Sequence, residues 1–291
     1  MLIPRFEYEE PKSVAEACDL LAEFGQEARA LAGGTDLMVN MKKGILSPKH
    51  VVSLARIETL KKIEVRGGTL RIGAGATVAD LGMSQQIEDN APALGSGARA
   101  LGSPLIRNLA TIGGNISSAR PAADLPPSLL VYGARVVLKS TKGDRTVALK
   151  EFFQGPGQTL MRPDELLTEI EFEAAGPGTG AGYINLGIRK VQDINVINGA
   201  SYIALDPKDG SIEKARIALG AVAPTPVRAH NAENVLLGEK PSADLFTRAG
   251  QAARDDCSPI TDFRGGAEYR QDMVAVVVRR TLETALKQAQ A

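Results

Sequence analysis

Two glycine pairs constrain this chain more than any other feature of it. Gly33-Gly34 stands within Leu31-Ala-Gly-Gly-Thr-Asp-Leu37, and Gly113-Gly114 within Arg107-Asn-Leu-Ala-Thr-Ile-Gly-Gly-Asn-Ile-Ser-Ser118. Each pair follows a short apolar run that reads as a strand. Small polar side chains flank both: Thr35 and Asp36 at the first, Thr111, Asn115, Ser117 and Ser118 at the second. A residue without a Cβ lets the backbone turn sharply and approach a ligand closely, so N–H groups and hydroxyls can converge on an anion. Each stretch therefore reads as a phosphate cradle. A pair of cradles suits a dinucleotide better than either suits a tight turn alone.

The surrounding chain places the first cradle between a strand and a helix. Residues 12–25 read as a helix, with Ser13 and Glu16 as its start, Val14, Ala17, Cys18, Leu21 and Phe24 at helical spacing, and Gly25 as its stop. Cys18 falls on the apolar face, as a small core side chain. Ala28–Leu31 is the strand, Leu37–Lys43 a brief helix ended by Gly44, and His50–Leu54 a further strand. This is a small parallel α/β unit, and a helix start behind the glycine turn favours an anion there.

A third glycine-rich stretch, Gly73-Ala-Gly-Ala-Thr77, fails as a Rossmann fingerprint. Val78 stands where that loop needs a final glycine or alanine, and the strand before it arrives from a hairpin (Leu60–Val65, Thr69–Ile72). Thr77 and Asp80 instead start a helix over Val78–Ile87. Ala91–Leu101 reads as helical and Ser103-Pro104 breaks it. Asp124, ahead of Pro126-Pro127, is placed to cap a short helix closed by Gly133. Arg135–Leu138 and Arg145–Leu149 form a hairpin, with Leu166–Phe172 a further strand.

Ala175-Gly-Pro-Gly-Thr-Gly180 is the clearest boundary in the chain. Strands are expected beyond it near 182–190, 196–205 and 212–222, then helices near 230–237, 242–256 and 267–289. Strands followed by helices describe a separate α+β domain, and it carries no glycine-rich loop.

Composition removes several classes of function. The 291 residues hold 34 basic and 34 acidic side chains, with 4% aromatics and no tryptophan. No basic stripe or stacking platform for nucleic acid is visible. Cys18 and Cys257 are too few for an iron-sulfur cluster or a structural zinc. His50 and His230 stand apart from any local carboxylate or cysteine pattern, which disfavours a metal site or a histidine triad. Neither a nucleophile elbow nor a P-loop occurs. The acidic start of the chain has no secretory signal behind it, and no window approaches the ~20 apolar residues of a membrane span. The expected compartment is the cytoplasm.

Ala32-Gly-Gly-Thr-Asp-Leu37 together with Ile106-Arg-Asn-Leu-Ala-Thr-Ile-Gly-Gly-Asn115 closely resembles the FAD-binding medium subunit of molybdenum hydroxylases, the carbon monoxide dehydrogenase and xanthine dehydrogenase family. The likeness runs through Ile72–Thr77 and the Phe152–Leu160 segment into a terminal domain like the family's flavoprotein C-terminal domain. It implies an α+β fold: a two-subdomain FAD-binding domain of the vanillyl-alcohol-oxidase type over residues 1–57 and 58–175, then a smaller domain over 181–291 with a three-stranded antiparallel sheet and helices. It implies FAD as cofactor. Ala32, Gly33, Gly34, Thr35, Asp36 and Leu37 would clasp it from one side, and Ala110, Thr111, Gly113, Gly114, Asn115, Ser117 and Ser118 from the other. Asp124 matches an acidic ligand contact, Leu101 and Gly102 fall where the family lines the flavin ring, and Leu160 near the adenine or ring edge.

Two positions depart from the family. Asn185 stands where a lysine is often found, and Asn195 where Asp-Ile-Ala commonly ends. Arg107 is left between an ion pair and a ligand contact. The resemblance further implies an electron-transfer role within a dimer of heterotrimers, beside an iron-sulfur small subunit and a molybdenum-cofactor large subunit. The rival readings are a self-contained flavin oxidase or dehydrogenase, and a scaffold subunit with a decayed flavin site.

Overall fold

The computed structural model describes residues 3–189 and 192–291. Its first unit holds β1 (Glu7–Glu9), α1 (Val14–Phe24), β2 (Ala28–Leu31), α2 (Leu37–Lys42) and β3 (His50–Ser53). The strands form a parallel sheet in the order β1-β3-β2. Ser13 caps α1 by accepting the Glu16 N–H, and Gly25 ends it at φ 51°. Cys18 lies in the small core between α1 and the sheet, as its spacing predicts.

The second unit begins with β4 (Ile63–Arg66) and β5 (Thr69–Gly73), a hairpin from which Leu60 is excluded because residues 58–61 form a 3-10 turn. Short helices follow: α3 (Val78–Met83), α4 (Gln85–Asn90), α5 (Pro92–Ala100), α6 (Pro104–Arg107), α7 (Ile112–Ser117) and α8 (Leu125–Tyr132). Thr77 and Asp80 make a full capping box, but the helix they start ends at Met83, because the Ser84 hydroxyl accepts the Ile87 N–H and opens α4. Then come β6 (Arg135–Ser140), β7 (Gly143–Ala148), α9 (Leu149–Phe152), the small pair β8 (Phe153–Gly155) and β9 (Gln158–Thr159), and β10 (Leu166–Glu173). The large sheet is antiparallel in the order β4-β5-β10-β6-β7.

The third unit contains β11 (Thr179–Leu186), β12 (Ile197–Leu205), β13 (Ile212–Gly220), β14 (Val227–Arg228), α10 (His230–Leu236), α11 (Ala243–Ala252) and α12 (Ala267–Ala289). Its antiparallel sheet has four strands, not the expected three. The extra strand is two residues long and follows Pro224 and Pro226, so nothing local distinguishes it from a turn. Lys190, the end of the strand expected near 182–190, lies outside the described residues.

Period-two alternation makes this sheet two-sided. Along β12, Ile197 and Ile203 enter the core beneath α12, and Ser201 meets Thr281 of that helix at 2.7 Å. Ala200 between them joins the core of the second unit. Helix α8 lies on that face, and every one of its residues is buried, since it has the large sheet's core on one side and β12 and β13 on the other. The units thus share apolar packing. No helix among the described residues is long and apolar enough to cross a membrane.

Candidate functional site

A cleft of about 1390 Å³ opens where the three units meet. Its lining includes Ala32–Leu37, Leu101, Gly102, Ala110, Thr111, Gly113, Gly114, Asn115, Ser117, Ser118 and Asp124. Of the residues put forward as FAD contacts, Leu160 alone is not in that wall. It packs against the core of the second unit, and its carbonyl accepts from Arg145 at 3.1 Å, while its neighbour Met161 faces the cleft.

The first loop behaves as its composition predicts. Gly34 sits at φ 71°, a region that L side chains avoid, and turns the chain from β2 into α2. The N–H groups of Gly33, Gly34, Thr35 and Asp36 donate to no described residue, and all four residues line the cleft. These are free donors in a concave site. Gly33 has a second reason to lack a side chain: a Cβ there would lie 1.7 Å from the Leu109 carbonyl oxygen. The two loops therefore touch backbone to backbone.

The second loop differs from the expectation in two ways. No strand precedes it; α6 and a turn lead in, with only an isolated bridge between Thr77 and Thr111. Its amides are also already engaged. Ile112 and Gly113 donate to the carbonyls of Ala76 and Ala74 at 3.0 and 2.8 Å, and Gly114 to the Thr111 hydroxyl at 3.1 Å. A Cβ on Gly113 would stand 2.7 Å from Ala74, so that glycine serves the contact of α7 with the end of β5. Gly114 is different. Its only near neighbour would be the Thr111 hydroxyl at 3.1 Å, and it faces the cleft. Asn115 beside it has a buried Oδ1 with no hydrogen-bond partner among the described residues, in the same wall. Ser118 turns its hydroxyl onto the Asn115 carbonyl at 3.0 Å.

Asp124 does not cap α8: its side chain makes no capping bond. Its Oδ1 accepts instead from Asn195 Nδ2 at 2.8 Å and from the Tyr183 hydroxyl at 3.1 Å. Burial raises the carboxyl above its ordinary value, and those two donors pull it back. Burial likewise lifts Tyr183 well above the normal phenol range, with the nearby Asp124 charge adding to the effect. Asn185 donates to Asn195 Oδ1 at 3.2 Å, so the two positions at which this chain departs from the pattern meet each other. Among the described residues Arg107 makes no ion pair, and it does not line the cleft. It donates to the Leu101 carbonyl at 3.0 Å and closes the bend between α5 and α6.

Sequence reasoning missed the third wall entirely. Ile194, Pro224, Ser258, Ile260, Arg264 and Arg270, all from the C-terminal unit, line the cleft, with no glycine motif to announce them. Arg270 is 1% exposed and pairs with Asp262 at 2.6 Å; Asp262 also grips Arg264. The Arg264 guanidinium, then Arg270, hold the Asp262 carboxyl well below the usual carboxylate range. His50 and His230 lie outside the cleft wall. Both have a carboxylate nearby, Glu233 at 2.9 Å from His230 and Glu9 at 3.7 Å from His50, contrary to the isolation expected of them.

A parallel α/β unit and a larger antiparallel α+β unit, each bringing a glycine loop to one shared cleft, define a two-lobed dinucleotide-binding flavoprotein domain. Residues 4–172 match the FAD binding domain in molybdopterin dehydrogenase, and residues 184–285 the CO dehydrogenase flavoprotein C-terminal domain; the chain belongs to the family of FAD-binding subunits of molybdenum hydroxylases. It is 36% identical to the carbon monoxide dehydrogenase medium chain of Hydrogenophaga pseudoflava, covering 98% of both chains. It is 29% identical to the xanthine dehydrogenase FAD-binding subunit of Escherichia coli O157:H7, over 97% of this chain and 96% of that one. A solved carbon monoxide dehydrogenase from Hydrogenophaga pseudoflava, in a form lacking the Mo-pyranopterin moiety, superposes with a TM-score of 0.94 at 36% identity over 99% of each chain.

FAD is thus the cofactor, and the residues present fit it. Four free amides and an open Gly114 face one cleft with no lysine inside either loop, and the orphaned Asn115 Oδ1, an acceptor, suits a ligand hydroxyl. A pyrophosphate can be held by N–H donors and hydroxyls without a compensating lysine.

Proposed function

We propose that this chain is the FAD-carrying electron-transfer subunit of a molybdenum-containing hydroxylase or dehydrogenase, passing electrons from iron-sulfur clusters of a small partner subunit through FAD to an external acceptor. Substrate hydroxylation belongs to a large partner subunit that carries the molybdenum cofactor, in a cytoplasmic assembly of two heterotrimers. When bound, FAD supplies exchange of either one or two electrons, which suits a position between one-electron clusters and a two-electron acceptor.

The observation that carries this reading is the cleft between two glycine loops in a chain similar, over nearly its full length, to medium subunits of such enzymes. In it, the amides of Gly33–Asp36 would hold the pyrophosphate, Gly114 would leave room for it on the second loop, and the Asn115 amide oxygen would accept from a ligand hydroxyl. The Asp124 carboxylate, an acceptor only, receives ligand hydroxyls rather than phosphate. Leu101 and Gly102 bound the ring end. Neither histidine lines the cleft, so no imidazole is at hand to remove a substrate proton beside the flavin. The segments 1–57 and 58–175 act as the two FAD-binding subdomains, with 181–291 as the domain that completes the wall.

Purification of the chain from its native source, under conditions that preserve complexes, tests the reading. Two further polypeptides should accompany it in equal amounts, one with iron-sulfur absorbance and one with molybdenum. A chain that purifies alone and, by itself, oxidises a small substrate with turnover would replace this reading with that of a self-contained flavin enzyme.

A further inference from the structure

Four consecutive residues of the cleft wall, Pro121 to Asp124, are held by donors from the C-terminal unit. The Pro121 carbonyl accepts the Ala221 N–H at 2.7 Å. The Ala122 carbonyl accepts Asn195 Nδ2 at 3.1 Å, and the Ala123 carbonyl accepts Asn198 Nδ2 at 2.9 Å. Asp124 Oδ1 takes Asn195 Nδ2 at 2.8 Å and the Tyr183 hydroxyl at 3.1 Å. Its Oδ2 takes no hydrogen bond from another described residue, and Asp124 lines the cleft.

Asn195 is the centre of this clamp. It is 3% exposed, and one amide nitrogen serves both a backbone carbonyl and the carboxylate. Its Oδ1 accepts from Asn185, and its own carbonyl accepts from Arg264 at 3.1 Å. Turning the amide over would set its oxygen against a carbonyl and a carboxylate, so the network admits one orientation. A second layer supports it. Asp262 binds both Arg264 and the buried Arg270, and Arg270 donates to the Ala221 carbonyl at 2.9 Å. Ala221 sits at φ 63°, a conformation that persists in a non-glycine residue only where its surroundings over-determine it.

We propose that Asn195 and Tyr183 are positioning residues for the flavin site, which hold the Asp124 carboxylate so that its free oxygen meets FAD. The inference rests on the reading of Asp124 as a ligand-facing residue. It assigns the C-terminal unit a share in cofactor affinity although the unit carries no phosphate loop.

The test is a double-mutant cycle on the full chain stripped of flavin and titrated with FAD, read by quenching of flavin fluorescence. N195A and D124N should each weaken binding by about tenfold, the scale of one hydrogen bond to a charged group. In the D124N background, N195A should cost less than about twofold, because its effect runs through the carboxylate. A merely structural role would weaken both backgrounds alike and overturn the inference. Y183F, which keeps the ring and loses only the hydroxyl, repeats the cycle should N195A fail to fold, and additivity there overturns it equally. If D124N binds FAD as tightly as the wild type, the reading of Asp124 itself fails, and the inference with it.

Discussion

Gly33→Ala is the sharpest probe of how the cleft is built. An ideal Cβ at that position lies 1.7 Å from the Leu109 carbonyl oxygen, 2.5 Å from its carbon and 3.0 Å from the Ala110 nitrogen. Ordinary C···O contacts start near 3.3 Å, so the loops must part by about 1.5 Å. All the near atoms are backbone, so no side chain can swing aside to relieve the overlap. Overpacking of this kind costs about 1–3 kcal/mol of stability. If the separation also removes one charge-assisted hydrogen bond to a phosphate, affinity falls by a further ~1.5–3 kcal/mol, or about 10–150-fold in Kd. Thermal melts of the apo chain and FAD titration of the same sample measure the two effects. Gly114→Ala is the control, because its Cβ meets only the Thr111 hydroxyl at 3.1 Å. There the apo melting temperature should hold or rise, since alanine favours the helix by about 0.5–1 kcal/mol, while FAD affinity still drops. A Gly33→Ala chain that melts and binds FAD like the wild type would refute the claim that this backbone contact sets the width of the site.

Asp262→Ala should lower stability by about 3–5 kcal/mol, because it strips the partner from a buried arginine rather than removing a pair. Urea unfolding measures the loss; one below about 1 kcal/mol would mean that Arg270 finds its compensation elsewhere. Glu165 yields a pH dependence. Burial alone would raise its carboxyl, but the Arg145 guanidinium, at 2.6 and 2.8 Å, outweighs that and holds it below its ordinary value. A depressed carboxyl contributes stability that is full above its unfolded value of about 4.3 and is lost as pH falls through the folded value. Glu165→Gln should therefore be less stable than the wild type at pH 7, with the gap in melting temperature narrowing below about pH 4. A gap that stays constant down to pH 3 would contradict the assignment.

What could be read from sequence were features whose cause is local. Ser13, Thr77 with Asp80, and Gly25 cap or close helices through residues three or four positions away, and all three appear as expected. The first loop was legible for the same reason, since Gly34 answers to its own φ. The cap that Asp124's neighbours in sequence suggest does not form, because its partners, Tyr183 and Asn195, lie 59 and 71 residues onward. Gly33 looked like a ligand-facing glycine, yet the atom that forbids its side chain belongs to Leu109. The second loop kept its place in the cleft but lost its strand, because Ala110 is apolar for packing on the core, Leu109 is exposed, and only Thr111 makes an isolated bridge. Arg107 answers to a carbonyl, which no pattern of charges reveals.

The clamp on Pro121–Asp124 bears on how such chains can be recombined. Its acceptors lie within the residues 4–172 that match one family model, and its donors Asn195 and Asn198 within the residues 184–285 that match another. The seam that looks natural for exchanging modules therefore runs between the two halves of a single bonding pattern. A chimaera cut there inherits carbonyls without their amides unless both sides come from one parent. By this criterion the indivisible part of the molecule is the seam itself, and the modules on either side of it are not free to evolve alone.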